Sequence, residues 1–134
     1  MNSKGFPIRD YMTPAPFTIE SNTPLKTAQE VMKEYHVKHL PVISGSKVMG
    51  ILSERGLNVA LSLEDFEKYV ARDVMLPNPY VVDPQTPFLK ILRAMAEETY
   101  GCAVVQEDGK LVGIFTMVDA CRVLGDFLEK AFSS

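Results

Sequence analysis

The sequence predicts a mixed α/β (α+β) fold made of two tandem copies of one β-α-β-β-α unit, and an internal repeat is the first evidence for it. When the chain is shifted by 63 residues, Arg9 falls on Arg72, and the two halves align without a gap as far as Ile51. The phrase GILSERG at 50–56 returns as GIFTMVD at 113–119. The second evidence is the order of hydrophobic periodicities, which is the same in both halves. The chain is therefore a tandem duplication.

Each copy begins with a proline-rich lead-in segment, residues 9–16 in the first copy and 72–79 in the second. Its prolines disfavour a helix, and the residues after it predict a short strand, at 17–19 and 80–82. The next signal is Thr-Pro, at 23–24 and again in the second copy, which predicts Thr as the helix N-cap and Pro as the first helical residue. Apolar side chains at helical spacing follow and predict the first helix of each copy.

Two apolar strands and a second helix complete each copy. The strands are predicted at 40–43, 48–52, 103–106 and 111–115. The second helix is predicted to begin at Ser53 in the first copy and at Thr116 in the second. We divide the chain into a first repeat at 1–62, a linker helix at 63–70 and a second repeat at 71–134. Because a unit this small buries little of its surface, we expect the two repeats to share one core.

The composition indicates a globular protein without a strong bias towards charged partners. The chain has 134 residues, 46% of them hydrophobic, and a net charge of −3, which argues against bulk binding to nucleic acid or to an anionic membrane. It has no apolar run near the roughly 20 residues that span a bilayer, and its start lacks the apolar core of a signal peptide. We therefore expect a cytoplasmic protein, with Cys102 and Cys121 as buried thiols.

Four motifs stand in order along the chain, and together they resemble the tandem CBS-domain module, also called the Bateman module, over about residues 7–125. They are Arg-Asp-x-Met-x-Pro in each lead-in segment, the Thr-Pro helix start, Leu-Pro-Val at 40–42, and Gly-hydrophobic-x-Ser/Thr-x-x-Asp at 113–119. The resemblance implies two repeats packed as a pseudo-twofold pair that binds an adenosine-containing ligand in the cleft between them. It also implies a regulatory module rather than an enzyme, a homodimer, and a downstream protein partner that the sequence does not name.

The resemblance also assigns the ligand-binding residues. It places Thr116 beside phosphate or ribose and Asp119 as the acceptor for the ribose hydroxyls. The other residues that it implies are Thr13, Phe17, Thr18, Lys38, His39, Leu40 and Ile114. The chemistry is consistent with this, because an ionised carboxylate accepts both hydroxyl donors of a ribose and a helix N-terminus favours phosphate. No cofactor is required, and AMP, ADP, ATP, S-adenosylmethionine and other adenosyl ligands remain open.

The equivalent cleft of the other repeat lacks these polar groups. Its helix start has Ser53 and Gly56 where the second copy has Thr116 and Asp119, and its facing segment is Gly-Cys-Ala at 101–103. We therefore expect one ligand per chain.

Two alternatives stand beside nucleotide binding. Thr116 and Asp119 also have the spacing of a helix capping box, so the alternative is a structural or interaction module that has no nucleotide ligand. A nucleotide-hydrolysing enzyme is disfavoured, since the sequence shows no nucleophile–base set and no phosphate-binding glycine-rich loop. His36 and His39 have no further ligand nearby, which disfavours a metal site.

Overall fold

The computed structural model describes residues 6–133 and divides the chain into two compact units. Unit 1 contains the chain up to Ala15 together with the chain from Tyr80 onward, and unit 2 is Pro16–Pro79. This division differs from that of the sequence repeats, because each lead-in segment belongs to the unit formed by the other copy. Both units are mixed α+β, which confirms the predicted fold class.

Each copy follows the predicted β-α-β-β-α order. The strands are β1 Thr13–Pro14, β2 Ile19–Glu20, β3 His39–Ser44, β4 Lys47–Ser53, β5 Leu76–Pro77, β6 Val81–Val82, β7 Cys102–Glu107 and β8 Lys110–Thr116. The helices are α1 Leu25–Tyr35, α2 Glu54–Leu61, α3 Ala71–Val74, α4 Phe88–Glu98 and α5 Met117–Phe132. The structure thus adds three short elements that the sequence did not predict, β1, α3 and β5. Two turns of 3-10 helix lie at Ile8–Asp10 and Phe66–Lys68, the second of them within the segment predicted as a linker helix.

Unit 2 contains a four-stranded sheet in the order β2-β3-β4-β5. Strands β2 and β3 are parallel, whereas β3 with β4 and β4 with β5 are antiparallel. Helices α1 and α2 bury their apolar faces in one core. Its buried members are Ile19, Leu25, Ala28, Met32, Leu40, Val42, Leu52, Leu57, Ala60 and Ala71. Burial of these side chains is the main stabilising contribution to the unit.

Unit 1 repeats this plan with strands in the order β1-β8-β7-β6. Phe115 is fully buried at its centre, and its ring meets the ring of Phe88 edge to face at a centroid distance of 5.5 Å. The buried core residues are Ile8, Phe88, Ile91, Met95, Ala103, Val105 and Phe115. Ile8 comes from the N-terminal segment, so that segment contributes both a core side chain and the edge strand β1.

Gly50 and Gly113 explain why the repeated phrase begins with glycine. Each lies opposite the proline of a lead-in strand, Pro77 for Gly50 and Pro14 for Gly113. A Cβ atom at Gly50 would collide with the main-chain oxygen of Leu76, and a Cβ atom at Gly113 would collide with the sulfur of Met12. Gly50 therefore allows the close approach of the β5 main chain, whereas a side chain at Gly113 would have to displace the flexible end of Met12.

The helix starts agree with the sequence predictions in part. The second helices do begin where expected, with Ser53 and Thr116 as side-chain N-caps. The first helix was placed one residue too early. The N-cap of α1 is Pro24 rather than Thr23, and its carbonyl accepts the hydrogen bond of Ala28 N at 3.1 Å. The reason is that Thr23 O is engaged by Ala71 N at 2.9 Å, which holds this segment extended.

The cysteine prediction was correct for one residue and wrong for the other. Cys102 is buried in β7, and burial raises the pKa of its thiol to about 11. Cys121 is exposed on α5, because α5 is apolar on more than its core-facing side. No helix among residues 6–133 is long and apolar enough to cross a membrane.

Candidate functional site

The candidate site in unit 1 lies where β8 passes into α5. Thr116 is extended, with φ −108° and ψ 171°, and its hydroxyl oxygen accepts a hydrogen bond from Asp119 N at 3.2 Å. In return, Asp119 Oδ2 accepts Thr116 N at 2.9 Å. The pair therefore forms a capping box that occupies two main-chain donors at the helix start.

Asp119 is the one buried charged side chain within residues 6–133, with 4% of its surface exposed. Its Oδ2 atom also accepts the Thr116 hydroxyl at 3.1 Å. Its Oδ1 atom accepts the hydroxyl of Thr13 at 3.4 Å and lies 3.0 Å from Nη1 of Arg122. Each carboxylate oxygen thus has two partners, which satisfies the rule that buried charges are paired and hydrogen-bonded. The carboxylate is fixed in position, but its Oδ1 contacts are a long hydrogen bond and an ion pair to an exposed arginine.

Arg122 was not predicted as a site residue. Its side chain is 60% exposed, and it reaches Asp119 from one turn along α5. The spacing i, i+3 between opposite charges on a predicted helix was the available signal.

Thr13 reaches Asp119 because its lead-in strand joins the sheet of unit 1. Strand β1 pairs antiparallel with β8, with Thr13 opposite Ile114. Ile114 is buried in β8, two residues before Thr116. The structure thus brings together four of the predicted site residues, Thr13, Ile114, Thr116 and Asp119.

The other five predicted residues lie in unit 2. Phe17 stacks on Tyr35 at a ring-centroid distance of 4.0 Å, and both rings are exposed. Thr18 lies in the same loop, directly before β2, and its side chain is partly buried. His39 begins β3 opposite Ser53. The side chain of Leu40 lies fully buried in the core, so this residue presents its main chain alone to any ligand.

Lys38 lies at the edge of a pocket of about 320 Å³ in unit 2. The pocket is lined by Met32, Lys33, His36, Val37, Lys38 and Glu54. The carbonyl of Lys38 accepts Glu54 N at 2.8 Å, which ties the start of α2 to the start of β3. The lining thus combines two lysines and a histidine with one acidic residue, Glu54.

The start of α2 has a simpler cap than the start of α5. Ser53 Oγ accepts Gly56 N at 3.0 Å, and no carboxylate stands at the position equivalent to Asp119. Among residues 6–133 there is no group of three His, Cys, Asp or Glu side chains arranged to hold a metal ion.

A family comparison identifies the repeat. The model of the CBS domain matches this chain twice, over residues 8–62 and 71–126. The two matched segments follow the register of the internal repeat.

Solved structures resemble the whole chain. The AcuB protein of Vibrio cholerae is 27% identical, with a TM-score of 0.83, and the match covers 96% of this chain and 97% of that one. CBSX2, a CBS-pair protein of Arabidopsis thaliana, was crystallised in complex with AMP. It is 28% identical with a TM-score of 0.79, over 92% of this chain and 98% of its own.

Curated relatives that match by sequence are longer proteins. The A-adding tRNA nucleotidyltransferase of Aquifex aeolicus is 29% identical over 127 residues, which cover 92% of this chain and 15% of that protein. The inosine-5'-monophosphate dehydrogenase of Korarchaeum cryptofilum is 29% identical over 118 residues, which cover 87% of this chain and 23% of that protein. The chain thus spans less than a quarter of the length of these two relatives.

Proposed function

Because the chain belongs to the CBS-domain family, we propose that it is a regulatory module that binds an adenosine-containing nucleotide and signals its presence by a change of conformation. The observation that carries this proposal is the carboxylate of Asp119, which is buried, ionisable and held at the N-terminus of α5. A helix needs only a cap there, and Ser53 caps α2 without any carboxylate. In this proposal a ligand accounts for the additional charge at α5, beside the capping role that Asp119 has in the box.

The proposed contact is made by Oδ1 of Asp119. Its partners are Thr13 at 3.4 Å, which is a long hydrogen bond, and Arg122, whose side chain is largely in solvent. A ribose offers two hydroxyl donors. In the proposed complex these donors replace the two weak partners of Oδ1, Thr13 and Arg122. The Oδ2 atom stays with Thr116, so the cap persists when the ligand is bound.

The remaining predicted residues complete the proposed site. Thr116 contacts phosphate or ribose, Lys38 supplies positive charge for phosphate, and His39 supplies a second hydrogen-bond donor. Phe17 and Ile114, with neighbouring strand residues, provide apolar surface for the adenine ring. Thr18 and Leu40 belong to the wall that the family resemblance implies.

AMP is the first ligand to test, because CBSX2 was crystallised with it and is 28% identical over most of this chain. ADP, ATP, S-adenosylmethionine and other adenosyl ligands belong to the same proposal. We further propose a cytoplasmic homodimer that acts on a separate protein and has no catalytic role of its own. The expected stoichiometry is one nucleotide per chain, since the start of α2 offers no equivalent carboxylate.

Isothermal titration calorimetry of the purified protein with AMP, ADP, ATP and S-adenosylmethionine tests the proposal. Saturable binding of at least one of them, with one site per chain, is the expected result. Native mass spectrometry of the protein as purified identifies any ligand that is carried from the cell. If no adenosyl compound binds and none co-purifies, the capping box is structural and the module acts through protein contacts alone.

A further inference from the structure

A second pocket in unit 1 lies apart from the start of α5. Its volume is about 430 Å³, which is within the usual range for small-molecule sites. It is formed by the edge strand β6, the first turn of α4 and the turn that joins β7 to β8, at the end of the β7–β8 ladder opposite Thr116. Its lining includes Val81, Val82, Asp83, Thr86, Lys90 and Gln106. None of these residues belongs to the proposed nucleotide site.

Asp83 and Lys90 give this pocket one negative and one positive charge. Both side chains are exposed, and no ion pair joins them within residues 6–133. Oδ1 of Asp83 accepts the main-chain N–H of Gln85 at 2.8 Å, and Oδ2 is the oxygen that this turn does not use. Each of the two charges is therefore available to a ligand.

The loop that carries Asp83 is held in place by main-chain hydrogen bonds. Thr86 N donates to Asp83 O at 3.1 Å. The N-terminal segment adds two further bonds, from Arg9 N to Pro84 O at 3.0 Å and from Ile8 N to Thr86 O at 2.9 Å. A ligand would therefore meet a loop that is already ordered, which lowers the entropic cost of binding.

Neutral groups complete the lining of the pocket. Gln106 is partly buried on β7, and its amide can both donate and accept hydrogen bonds. Val82 is partly buried and Val81 is 44% exposed, so strand β6 offers a small apolar surface beside the charges. This combination suits a ligand that has a charged head group and a short side chain.

The equivalent place in unit 2 shows that the fold does not require this lining. In the 63-residue register, Lys90 corresponds to Thr27 and Gln106 corresponds to Ile43. Helices α1 and α4 are both 11 residues long, and each begins after Thr-Pro. The lysine and the glutamine are therefore particular to unit 1 and are not needed to build the repeat.

We propose that this pocket binds a small zwitterion of the α-amino acid class, with its carboxylate on Lys90 and its ammonium group on Asp83. A ligand with only a negative charge would meet the carboxylate of Asp83, and a ligand with only a positive charge would meet the ammonium group of Lys90. A zwitterion satisfies both groups. Because both charges are open to solvent, each contact is weak, and we expect millimolar affinity.

This inference goes beyond the proposed nucleotide site and does not depend on it. The two sites share no residue, so an amino acid would be a second effector of the same chain. Loss of one site should leave the other intact.

Nuclear magnetic resonance of the isotopically labelled full chain, titrated with each standard L-amino acid, is the first test. At least one amino acid should shift the amide signals of β6, the first turn of α4 and Gln106 in a saturable manner. The amide signals of β2 and the first turn of α1 are the internal control and should not move.

Derivatives of the amino acid that binds best test the requirement for two charges. The N-acetyl derivative lacks the positive charge, and the methyl ester lacks the negative charge. Each should bind more weakly than the parent amino acid.

Substitutions test the two charged residues. Lys90→Thr, which introduces the residue of the other copy, and Asp83→Asn should each weaken binding about threefold to tenfold. The matched control is Lys26→Thr, because Lys26 lies in the first turn of α1, and it should leave the affinity unchanged. Circular dichroism confirms that each variant is folded.

Three outcomes would overturn the proposal. They are the absence of saturable shifts with every amino acid, a single-charge derivative that binds as tightly as its parent, and wild-type affinity in either Lys90→Thr or Asp83→Asn. Calorimetry with AMP on the same variants measures nucleotide binding separately, so failure of one site is distinguished from failure of the other.

Discussion

The starts of α2 and α5 share one backbone design and differ in the side chains around it. In each, the last residue of a strand caps the helix with its hydroxyl group, Ser53 in unit 2 and Thr116 in unit 1. The three other residues of the unit 1 cluster are Thr13, Asp119 and Arg122, and their equivalents in unit 2 are Leu76, Gly56 and Val59. Not one of those three can accept or donate a side-chain hydrogen bond.

This difference shows which part of the motif the fold requires. The strand pairing, the close approach at Gly50 and Gly113 and the N-cap are present in both units. The carboxylate of Asp119 and the two partners of its Oδ1 atom, Thr13 and Arg122, are present in unit 1 alone. A buried carboxylate is costly to desolvate and is retained only where it is paired. The proposed nucleotide contact at Asp119 accounts for the presence of this carboxylate in one copy and its absence in the other.

Of the substitutions that test this difference between the two helix starts, Asp119→Asn is expected to have the largest effect, which is on AMP affinity. The change removes the charge and one acceptor oxygen, and hydrogen bonds to charged groups contribute about 1.5–3 kcal/mol each, so AMP affinity should fall about 10- to 100-fold. Calorimetry measures the affinity for AMP. The control is Asp126→Asn, which changes another acidic residue on the same helix. An unchanged affinity in the Asp119 variant would remove the carboxylate from the ligand site.

Replacing the glycine that begins each repeated phrase should have the second-largest effect, which is on the free energy of unfolding. Gly50→Ala places a methyl group against the main-chain oxygen of Leu76, which cannot move aside easily, and should cost about 2–3 kcal/mol. Gly113→Ala meets the flexible end of Met12 and should cost about 1 kcal/mol. Urea denaturation compares the two. Equal losses of unfolding free energy in the two variants would mean that both units accommodate the added methyl group to the same extent, which would contradict the prediction.

Arg122→Gln should have a smaller effect on stability. Because the arginine is 60% exposed, loss of its pair with Asp119 should cost less than about 1 kcal/mol of unfolding free energy. The same variant leaves Thr13 as the partner of Oδ1, so AMP affinity should change by less than about threefold unless Arg122 also contacts phosphate. Thermal denaturation and calorimetry give the two values, and a loss of affinity as large as that of Asp119→Asn would make Arg122 a direct ligand contact.

The reverse substitution, Gly56→Asp, should have no measurable effect on stoichiometry. It restores a carboxylate at the start of α2, but Leu76 and Val59 still provide no partner for its outer oxygen. Calorimetry should again give one site per chain. A second site of comparable affinity would show that the carboxylate alone is sufficient, and that the surrounding residues matter less than the comparison indicates.

The repeat predicted the fold well, because long-range sequence similarity carries information that local propensity does not. It located all the principal strands and both second-helix N-caps, including the Thr116–Asp119 capping box. It did not predict how Thr13 reaches Asp119. Strands β1 and β5 have two residues each, which is too short for a periodic pattern, and their pairing joins distant parts of the chain.

Two further features were not predicted from the sequence, for a related reason. Arg122 stands outside the repeated motif, and its contact with Asp119 depends on the helix register. The exposure of Cys121 depends on which of two apolar sides of α5 faces the core, and hydrophobic periodicity does not distinguish them.

The placement of Thr13 also sets the order in which the protein can assemble during its synthesis. Every strand of unit 2 lies within Pro16–Pro79, so that unit can close as soon as this stretch has left the ribosome. Ile8 and β1 are made before unit 2, yet their partners Phe88, Phe115 and β8 are made after it. Domains fold as their chains emerge, at about 5–20 residues per second. The N-terminal segment must therefore wait several seconds without its partners, until translation has supplied β8 and, with it, the carboxylate that Thr13 contacts.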